Sequence, residues 1–148
     1  MCNHQIDKRG FSTRAVRSGE EIKFNNGYGD VVVPIHLTTT YARQSLDEIK
    51  GGYDYIRSGN PTRQALEEKL ASLEGSDYAY AFSSGLAAES SLLLSLLHQG
   101  DHIIAFYDIY GGTQRLFNDI LTQYGFEITY VDATEPENVE QAIRENTR

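Results

Sequence analysis

The chain has 148 residues, a single-domain length, and its 40% hydrophobic and 23% charged residues are typical of a folded globular protein. Its net charge of −8, with 13 scattered lysines and arginines, argues against nucleic acid or an anionic membrane as the main partner. We expect neither a secretory signal in the polar residues 1–17 nor a membrane span, because every apolar run is too short. The only cysteine, Cys2, allows no internal disulfide and favours a cytoplasmic setting. Cys2 with His4 is too weak a pattern to predict a metal site.

Residues 1–60 differ from the rest of the chain because they contain few periodic segments and several glycines. One apolar run, residues 31–37, includes Pro34, which cannot donate to a sheet ladder, so it predicts a sheet edge or an extended arm. A short helix over residues 45–50, ended by a glycine pair, is also expected here. An arm with little core of its own needs another surface, and we expect a neighbouring subunit to supply it.

Residues 61–148 alternate between helix and strand signals, which predicts a mostly parallel α/β sheet with right-handed crossovers. Asn60 is a suitable N-cap and Pro61 a suitable first residue for a helix that Gly75 ends. Its apolar face is formed by Leu66, Leu70 and Leu73. The elements predicted after it are a buried strand at 78–82, a helix at 86–97 ended by Gly100, a strand at 103–106, a helix at 113–124, a strand at 126–131 and a helix at 136–148. The inward residues of the last two helices are predicted to be Leu116, Phe117, Ile120, Leu121, Val139, Ala142 and Ile143.

Ligands of parallel sheets bind beyond the carboxyl ends of the strands, and two of those ends carry polar turns with glycine. The first turn is Ser83-Ser84-Gly85, where an abrupt helix start leaves backbone N–H groups free and the helix dipole adds positive charge. These residues fit both a phosphate or oxyanion seat and an ordinary helix start capped by Ser83 or Ser84. The second turn spans residues 107–112 and contains Tyr110.

Four side chains are further candidates for ligand contacts. Arg57 offers donors suited to phosphate or carboxylate, and Tyr55, two residues away in extended chain, would point to the same side. Tyr110 could stack on a flat cofactor, and Arg115 could bind a carboxylate. Taken alone, each of these residues is also compatible with an exposed side chain that binds nothing, and for a lone arginine such as Arg57 that alternative is favoured.

Three motifs decide between these alternatives: YIRSGNPTR at residues 55–63, SSGLAA at 83–88 and YGGTQR at 110–115. Their order and spacing resemble the pyridoxal-phosphate enzymes of cysteine and methionine transsulfuration. This family includes cystathionine γ-synthase, cystathionine γ-lyase, cystathionine β-lyase and the O-acylhomoserine sulfhydrylases. The resemblance runs from about Gly27 to Arg148. It implies an aspartate-aminotransferase-like α/β fold, assembled as dimers or tetramers, that acts on small amino-acid substrates.

The resemblance also implies how pyridoxal 5'-phosphate would be bound. Gly85 and Leu86 would give backbone N–H groups to the phosphate of the cofactor. Tyr55 and Arg57 would reach the same phosphate from the neighbouring subunit, and Arg57 would also lie close to the substrate. This arrangement would explain why the arm has no core of its own.

The third motif concerns the cofactor ring and the substrate. By the same resemblance, Tyr110 would stack on the pyridine ring, contact the substrate and assist proton transfer, which makes it the predicted catalytic residue. Arg115 would contact the substrate. Gly112 stands where methionine γ-lyases carry a cysteine, which disfavours that branch. We expect γ-replacement or γ-elimination on homoserine-derived or cystathionine substrates, with sulfhydrylase and β-lyase reactions as alternatives.

The lysines depart from what this chemistry needs. The cofactor requires a lysine for the Schiff base and a carboxylate facing the pyridine nitrogen. Lys8, Lys23 and Lys50 lie in the arm, and Lys69 lies on the polar face of the first predicted helix. The family places both groups later in the chain than Arg148. We therefore expect residues 61–148 to be the N-terminal part of a longer domain, and the 148-residue chain alone to be inactive.

The sequence disfavours two other classes of function. An anion-binding α/β module without a covalent cofactor is disfavoured because the first turn lacks a G-x-G-x-x-G pattern and no Walker lysine is present. A hydrolase with Ser84 as nucleophile is disfavoured because Phe82 stands where the nucleophile elbow needs a glycine.

Overall fold

The structure, a computed structural model, describes residues 8–20 and 29–148, so Cys2, His4 and Lys23 lie outside the described residues. The chain forms two compact units, Met1–Ala81 and Phe82–Arg148. In chain order the elements are α1 (Phe11–Arg17), a 3₁₀ turn (Lys50–Gly52), α2 (Pro61–Glu74), α3 (Gly85–Leu96), β1 (His102–Phe106), α4 (Gly111–Arg115), β2 (Glu127–Val131) and α5 (Pro136–Ala142). Within the described ranges, no helix has the length and apolar character needed to cross a membrane.

Helix α2 begins and ends where the sequence predicts. The Asn60 side chain accepts hydrogen bonds from the backbone N–H groups of Thr62 at 2.8 Å and Arg63 at 3.3 Å. Pro61 occupies the first helical position, where no N–H is needed. Gly75 ends the helix with a φ of 69°, a left-handed conformation that favours glycine. Local capping chemistry therefore fixes both ends of this helix.

The arm is attached to the start of α2 through polar groups. Thr62 accepts from the backbone N–H of His36 at 2.9 Å and donates to the Pro34 carbonyl at 2.9 Å, while the Asn60 amide donates to the His36 carbonyl at 3.1 Å. Residues 31–39, all of them described, form neither helix nor strand, in agreement with the predicted arm. Four of its apolar side chains are 65% to 89% exposed: Val31, Val32, Ile35 and Leu37.

The first unit also departs from the sequence-based prediction in its N-terminal part. The short helix predicted over residues 45–50 is wrong, and only the 3₁₀ turn Lys50–Gly52 forms there. Leu46 is 90% exposed, so a helix at this position would have no apolar face to bury, and short helices depend on such packing. Helix α1 was not predicted. It is followed by Ser18, whose hydroxyl lies 3.0 Å from that of Ser72 in α2.

The buried strand predicted at residues 78–82 is also wrong. These residues form no strand, and Tyr78, Tyr80 and Phe82 are 70%, 75% and 47% exposed. The backbone N–H of Ala81 donates instead to the Glu67 carboxylate at 3.0 Å. A strand requires a neighbouring strand to complete its hydrogen bonds, and the described residues provide none at this position. Apolar composition alone could not reveal that absence.

The second unit is built on two parallel strands, as predicted. β1 pairs with β2 in the register His102–Glu127 to Phe106–Val131, and the intervening segment crosses over the sheet. The buried core consists of Ile103, Ala105, Phe117, Leu121 and Phe126. Gly125 turns the chain into β2 with a φ of 83°. The predicted parallel α/β arrangement is therefore confirmed.

The helix predicted at residues 113–124 forms with a different internal geometry. It begins two residues earlier, as α4, and continues as a π-helical turn over Leu116–Ile120 and a 3₁₀ turn over Leu121–Tyr124. A π turn holds more residues than an α turn, so it shifts which side chains face the core. Leu121 is 1% exposed, as expected of an inward residue, but the inward prediction for Ile120 is wrong because this residue is 49% exposed.

Two helix ends differ from prediction in this unit. α3 ends at Leu96, one residue before the predicted end, and Gly100 does not end it but has a φ of 92° in the turn before β1. α5 ends at Ala142, so Ile143 is exposed and not on an apolar helix face.

The chain beyond α5 returns to the edge of β1. The His102 N–H donates to the Asn146 carbonyl at 2.8 Å, and the Arg148 N–H donates to the His102 carbonyl at 3.1 Å. His102 and Thr147 thus form a parallel bridge. This pairing satisfies the backbone N–H and carbonyl of His102 at the sheet edge, which a continued helix over residues 143–148 would not do.

His102 is fully buried between two threonine hydroxyls. Its Nδ1 lies 2.8 Å from the Thr147 hydroxyl and its Nε2 lies 2.7 Å from the Thr129 hydroxyl. Burial lowers the pKa of His102 from its usual 6.5, and the nearby Arg144 guanidinium lowers it further, although Glu127 acts in the opposite direction. Neutral imidazole is therefore the form that suits the folded sheet edge.

We predict that the free energy of unfolding falls as the pH is lowered from 7 to 5. The folded-state pKa of His102 lies below its unfolded value, so the unfolded chain takes up the proton first and gains stability below about pH 6.5. The slope from one group is at most about 1.4 kcal/mol per pH unit. Denaturant unfolding at both pH values tests this. His98→Asn, at an exposed site, should keep the dependence, whereas His102→Asn should remove it. An unfolding midpoint that stays constant between pH 7 and pH 5 would contradict the assignment.

Candidate functional site

The start of α3 leaves two backbone donors without acceptors. The Ser84 hydroxyl accepts from the N–H of Ala87 at 3.1 Å, and its carbonyl accepts from the N–H of Ala88 at 3.1 Å. In the described part of the chain, the N–H groups of Gly85 and Leu86 have no acceptor, as expected for the first two residues of a helix. Two parallel donors and the positive end of the helix dipole therefore face outward together.

The space above this helix start is open. A Cβ built on Gly85 would meet no atom within 4 Å. A side chain at this position would occupy that space, and glycine leaves it free for an anion to approach the backbone closely. Of the two predicted caps, Ser84 is the one that the structure selects. The prediction of a serine cap is confirmed at Ser84, and this cap uses neither of the first two amides.

Tyr110 immediately precedes α4, and its ring lies over Gly112. A Cβ built on Gly112 would be 3.0 Å from the ring Cδ1 and closer still to Cε1, so only glycine allows this ring position. The side chain of Tyr110 is exposed, and its carbonyl accepts from the N–H of Gln114 at 3.0 Å as the helix begins. Arg115 is also exposed, at the end of the same helix. The structure therefore holds a ring and a guanidinium available to a ligand.

Tyr55 and Arg57 lie together in the first unit. The Arg57 guanidinium carbon is 4.3 Å from the centroid of the Tyr55 ring, a cation–π contact. The segment is not fully extended: the backbone N–H groups of Ser58 and Gly59 both donate to the Tyr55 carbonyl, at 3.1 Å and 2.9 Å. A turn, rather than the alternation of extended chain, brings the two side chains together. Among the described residues, Arg57 has no carboxylate partner, so its charge is available to an external anion.

Arg63 belongs to the same motif, but no role is predicted for it from the sequence. Its guanidinium donates to the carbonyls of Ile56 at 3.1 Å and Arg57 at 3.4 Å, and its Nε lies 3.4 Å from the Glu67 carboxylate. It therefore fixes the turn that carries Arg57. Its position six residues after Arg57, in the first turn of a helix, is a signal that sequence reasoning could have used.

The described lysines do not provide a cofactor amine at either sheet strand. Lys69 forms an ion pair with Glu20 in the first unit. Lys8 precedes α1 and Lys50 lies in the 3₁₀ turn. Within the described ranges, no cluster of three or more His, Cys, Asp or Glu residues could hold a metal ion. Within the described residues, the groups that remain as candidates for ligand contacts are backbone N–H donors, exposed aromatic rings and exposed guanidinium groups.

Residues 12–148 match the model of the family described as Cys/Met metabolism PLP-dependent enzyme. The chain belongs to this family. Pyridoxal 5'-phosphate is the cofactor on which the family depends.

The relatives of this chain are named for different reactions. The chain is 44% identical over 139 residues to a probable cystathionine γ-synthase of Herpetosiphon aurantiacus, covering 94% of this chain and 42% of that protein. It is 48% identical over 126 residues to the cystathionine β-lyase MetC of Bacillus subtilis, covering 85% of this chain and 32% of that protein. The crystal structure of metB from Corynebacterium glutamicum matches with a TM-score of 0.92 and 43% identity, covering 97% of this chain and 37% of that one. The chain thus spans less than half the length of these proteins.

We predict that Ser84→Ala lowers the free energy of unfolding by about 1 kcal/mol, because it removes the side-chain acceptor at the start of α3. Ser83→Ala is the matched control, since no hydrogen bond of the Ser83 hydroxyl is found in the described part of the chain. Denaturant unfolding of the two variants measures the difference. Equal losses from both substitutions would contradict the assignment of the cap.

Proposed function

We propose that this chain provides the phosphate seat and ring-stacking face of a PLP-dependent enzyme of cysteine and methionine metabolism. The reaction proposed is γ-replacement or γ-elimination on homoserine-derived or cystathionine substrates. The observation that carries the proposal is the pair of outward N–H groups at Gly85 and Leu86, in a chain that belongs to a PLP-dependent family. Family membership alone would not assign roles to these residues, and the helix start alone would fit any anion.

The residues present fit a phosphate monoester. Gly85 and Leu86 offer two backbone donors, the helix dipole adds partial positive charge, and the absent side chain of Gly85 leaves room for the ligand. Arg57 and Tyr55 of a second copy of the chain are proposed to complete the seat. Their support is that Arg57 has no carboxylate partner among the described residues and that its guanidinium is held against the tyrosine ring. The proposed assembly is therefore a homo-oligomer, a dimer or tetramer, in which the residue 1–60 arm contacts the neighbouring subunit.

Tyr110 is the proposed ring-stacking and catalytic residue. Its ring is exposed, and the lack of a side chain at Gly112 lets the ring lie close to the turn. A tyrosine hydroxyl at the edge of such a ring can hold or transfer a proton of the substrate. Arg115, five residues later and also exposed, is proposed to bind the substrate carboxylate together with Arg57.

The cofactor supplies the chemistry that no side chain can supply. Bound pyridoxal 5'-phosphate acts as an electron sink, which allows protons at Cα and Cβ to leave and a γ-substituent to be eliminated or replaced. We propose that the lysine which anchors the cofactor comes from outside these 148 residues, because Lys69 is paired with Glu20 and no described lysine lies at a strand end. By itself the chain would then bind the coenzyme without turning over substrate. A cytoplasmic location is proposed on the basis of the single cysteine.

A second candidate is β-elimination from cystathionine. The observation that favours it is the 48% identity to the Bacillus subtilis protein named cystathionine β-lyase. The two reactions release different products from the same substrate, cysteine from γ-elimination and homocysteine from β-elimination. Incubation of the complete protein with cystathionine, followed by chromatographic identification of the thiol, separates them.

The proposed phosphate role of Arg57 is tested in the complete protein encoded by the reading frame that contains this chain. We predict that Arg57→Ala weakens binding of pyridoxal 5'-phosphate by about tenfold or more, as expected for loss of a charge-assisted hydrogen bond. Arg43→Ala is the matched control, because Arg43 is an exposed arginine of the same segment that already pairs with Asp54 at 3.3 Å. Equilibrium dialysis measures both affinities. Unchanged affinity in Arg57→Ala would remove Arg57 from the phosphate site.

A further inference from the structure

A hydrogen bond joins the helix that carries the phosphate seat to the helix that follows the stacking tyrosine. The hydroxyl of Thr113, in α4, donates to the Oε2 atom of Glu89, in α3, at 2.8 Å. Thr113 is only 8% exposed, and Glu89 is partly buried. Neither residue belongs to the cofactor or substrate contacts assigned above.

The acceptor of the Thr113 hydroxyl shows that this side chain connects two helices. A threonine in a helix usually can donate to a backbone carbonyl three or four residues earlier, which would say nothing about neighbouring elements. Here the hydroxyl instead bonds across to another helix. A charged acceptor makes this bond stronger than one between neutral groups, and leaving a buried donor or acceptor unpaired is unfavourable.

Glu89 and Thr113 each lie within one helical turn of a residue that is proposed to contact the ligand. Glu89 is four residues after Gly85 and therefore lies on the same face of α3, one turn further along. Thr113 is three residues after Tyr110, which begins the first turn of α4. The bond thus links the element with the free amides to the element with the aromatic ring.

We propose that Glu89 and Thr113 are positioning residues that hold Tyr110 at the correct distance from the phosphate seat. The inference rests on the proposed function, because it assumes that one ligand spans the seat and the ring. Inorganic phosphate needs only the seat, whereas a vitamin-B6 monoester needs the seat and the ring together. Loss of the bond therefore weakens binding of the monoester and leaves binding of phosphate unchanged.

The experiment compares two probes in the complete protein freed of cofactor: pyridoxine 5'-phosphate, which has no aldehyde and cannot bond covalently to a lysine, and inorganic phosphate. The readout is the ratio of their association constants, measured by calorimetry. We expect Thr113→Val and Glu89→Ala each to lower this ratio by about tenfold, which corresponds to loss of one hydrogen bond. The double variant should lower it no further, because both changes remove the same bond.

Three controls separate positioning from a general structural effect. Glu89→Gln keeps an acceptor oxygen for Thr113 and should therefore keep the wild-type ratio of the two association constants. The lost negative charge affects the binding of both phosphate-containing probes, so this effect cancels in the ratio. Thr122→Val removes a hydroxyl that bonds within its own turn, to the Asn118 carbonyl, and should leave the ratio unchanged. In a Tyr110→Ala background, Thr113→Val should have no further effect, since it acts through the tyrosine.

The outcomes distinguish the inference from the function on which it rests. A wild-type protein that binds both probes equally would overturn the proposed function and this inference with it. A wild-type preference for pyridoxine 5'-phosphate that persists in Thr113→Val and Glu89→Ala would overturn the positioning role alone. An equal loss of affinity for both probes would also overturn it, because the bond would then only stabilise the fold.

Discussion

The junction at Ser84 is the constraint on which the candidate site depends. Its side chain accepts from the third amide of α3 and its carbonyl from the fourth, so the first two amides remain available. A residue without a side-chain acceptor at this position would leave three amides to compete for water or for a ligand. A residue larger than glycine at position 85 would occupy the open space above them. The serine and glycine together make a donor pair that is both rigid and accessible.

The elements that the sequence predicted correctly are those whose boundaries are determined locally. Asn60, Pro61 and Gly75 define α2 through capping contacts within a few residues of each end. The two strands of the second unit are each preceded by a glycine turn, at Gly100 and Gly125, and their parallel pairing follows from the helical crossover between them. Periodicity and turn chemistry contain this information, so no tertiary knowledge was needed.

The incorrect secondary-structure predictions share one physical cause, which is interaction between residues that are distant in the sequence. Residues 78–82 have the composition of a strand, but a strand exists only where another strand pairs with it. The chain after Ala142 could continue as a helix, yet it pairs with the edge of β1 because Asn146 and Arg148 reach His102. The π turn that exposes Ile120 changes the register within a helix, which a fixed period of 3.6 residues cannot represent.

For the site, the sequence motifs predict candidate residues but not the contacts that hold them in place. Tyr55, Arg57, Gly85, Leu86, Tyr110 and Arg115 all follow from the three motifs. The supporting contacts do not. Arg63 fixes the turn of Arg57 through two carbonyls, and Glu89 meets Thr113 across 24 positions of sequence. Hydrogen bonds of this kind require the fold to be known, because neither partner shows a distinctive residue pattern around it.

A comparison of the charges of the helix start and of a phosphate monoester gives a physical reason for the proposed contact between subunits. A helix start contributes the equivalent of about half a positive charge, whereas a phosphate monoester carries roughly −1.5 to −2 near neutral pH. In the second unit, whose residues are all described, Arg144 pairs with Glu127 and Arg148 lies 3.8 Å from Asp101, so these two cations are already engaged. If Arg115 binds the substrate, the remaining positive charge has to come from outside the second unit, and Arg57 of another copy is the proposed source. Coenzyme binding and subunit assembly would then be linked, each strengthening the other by the same free energy.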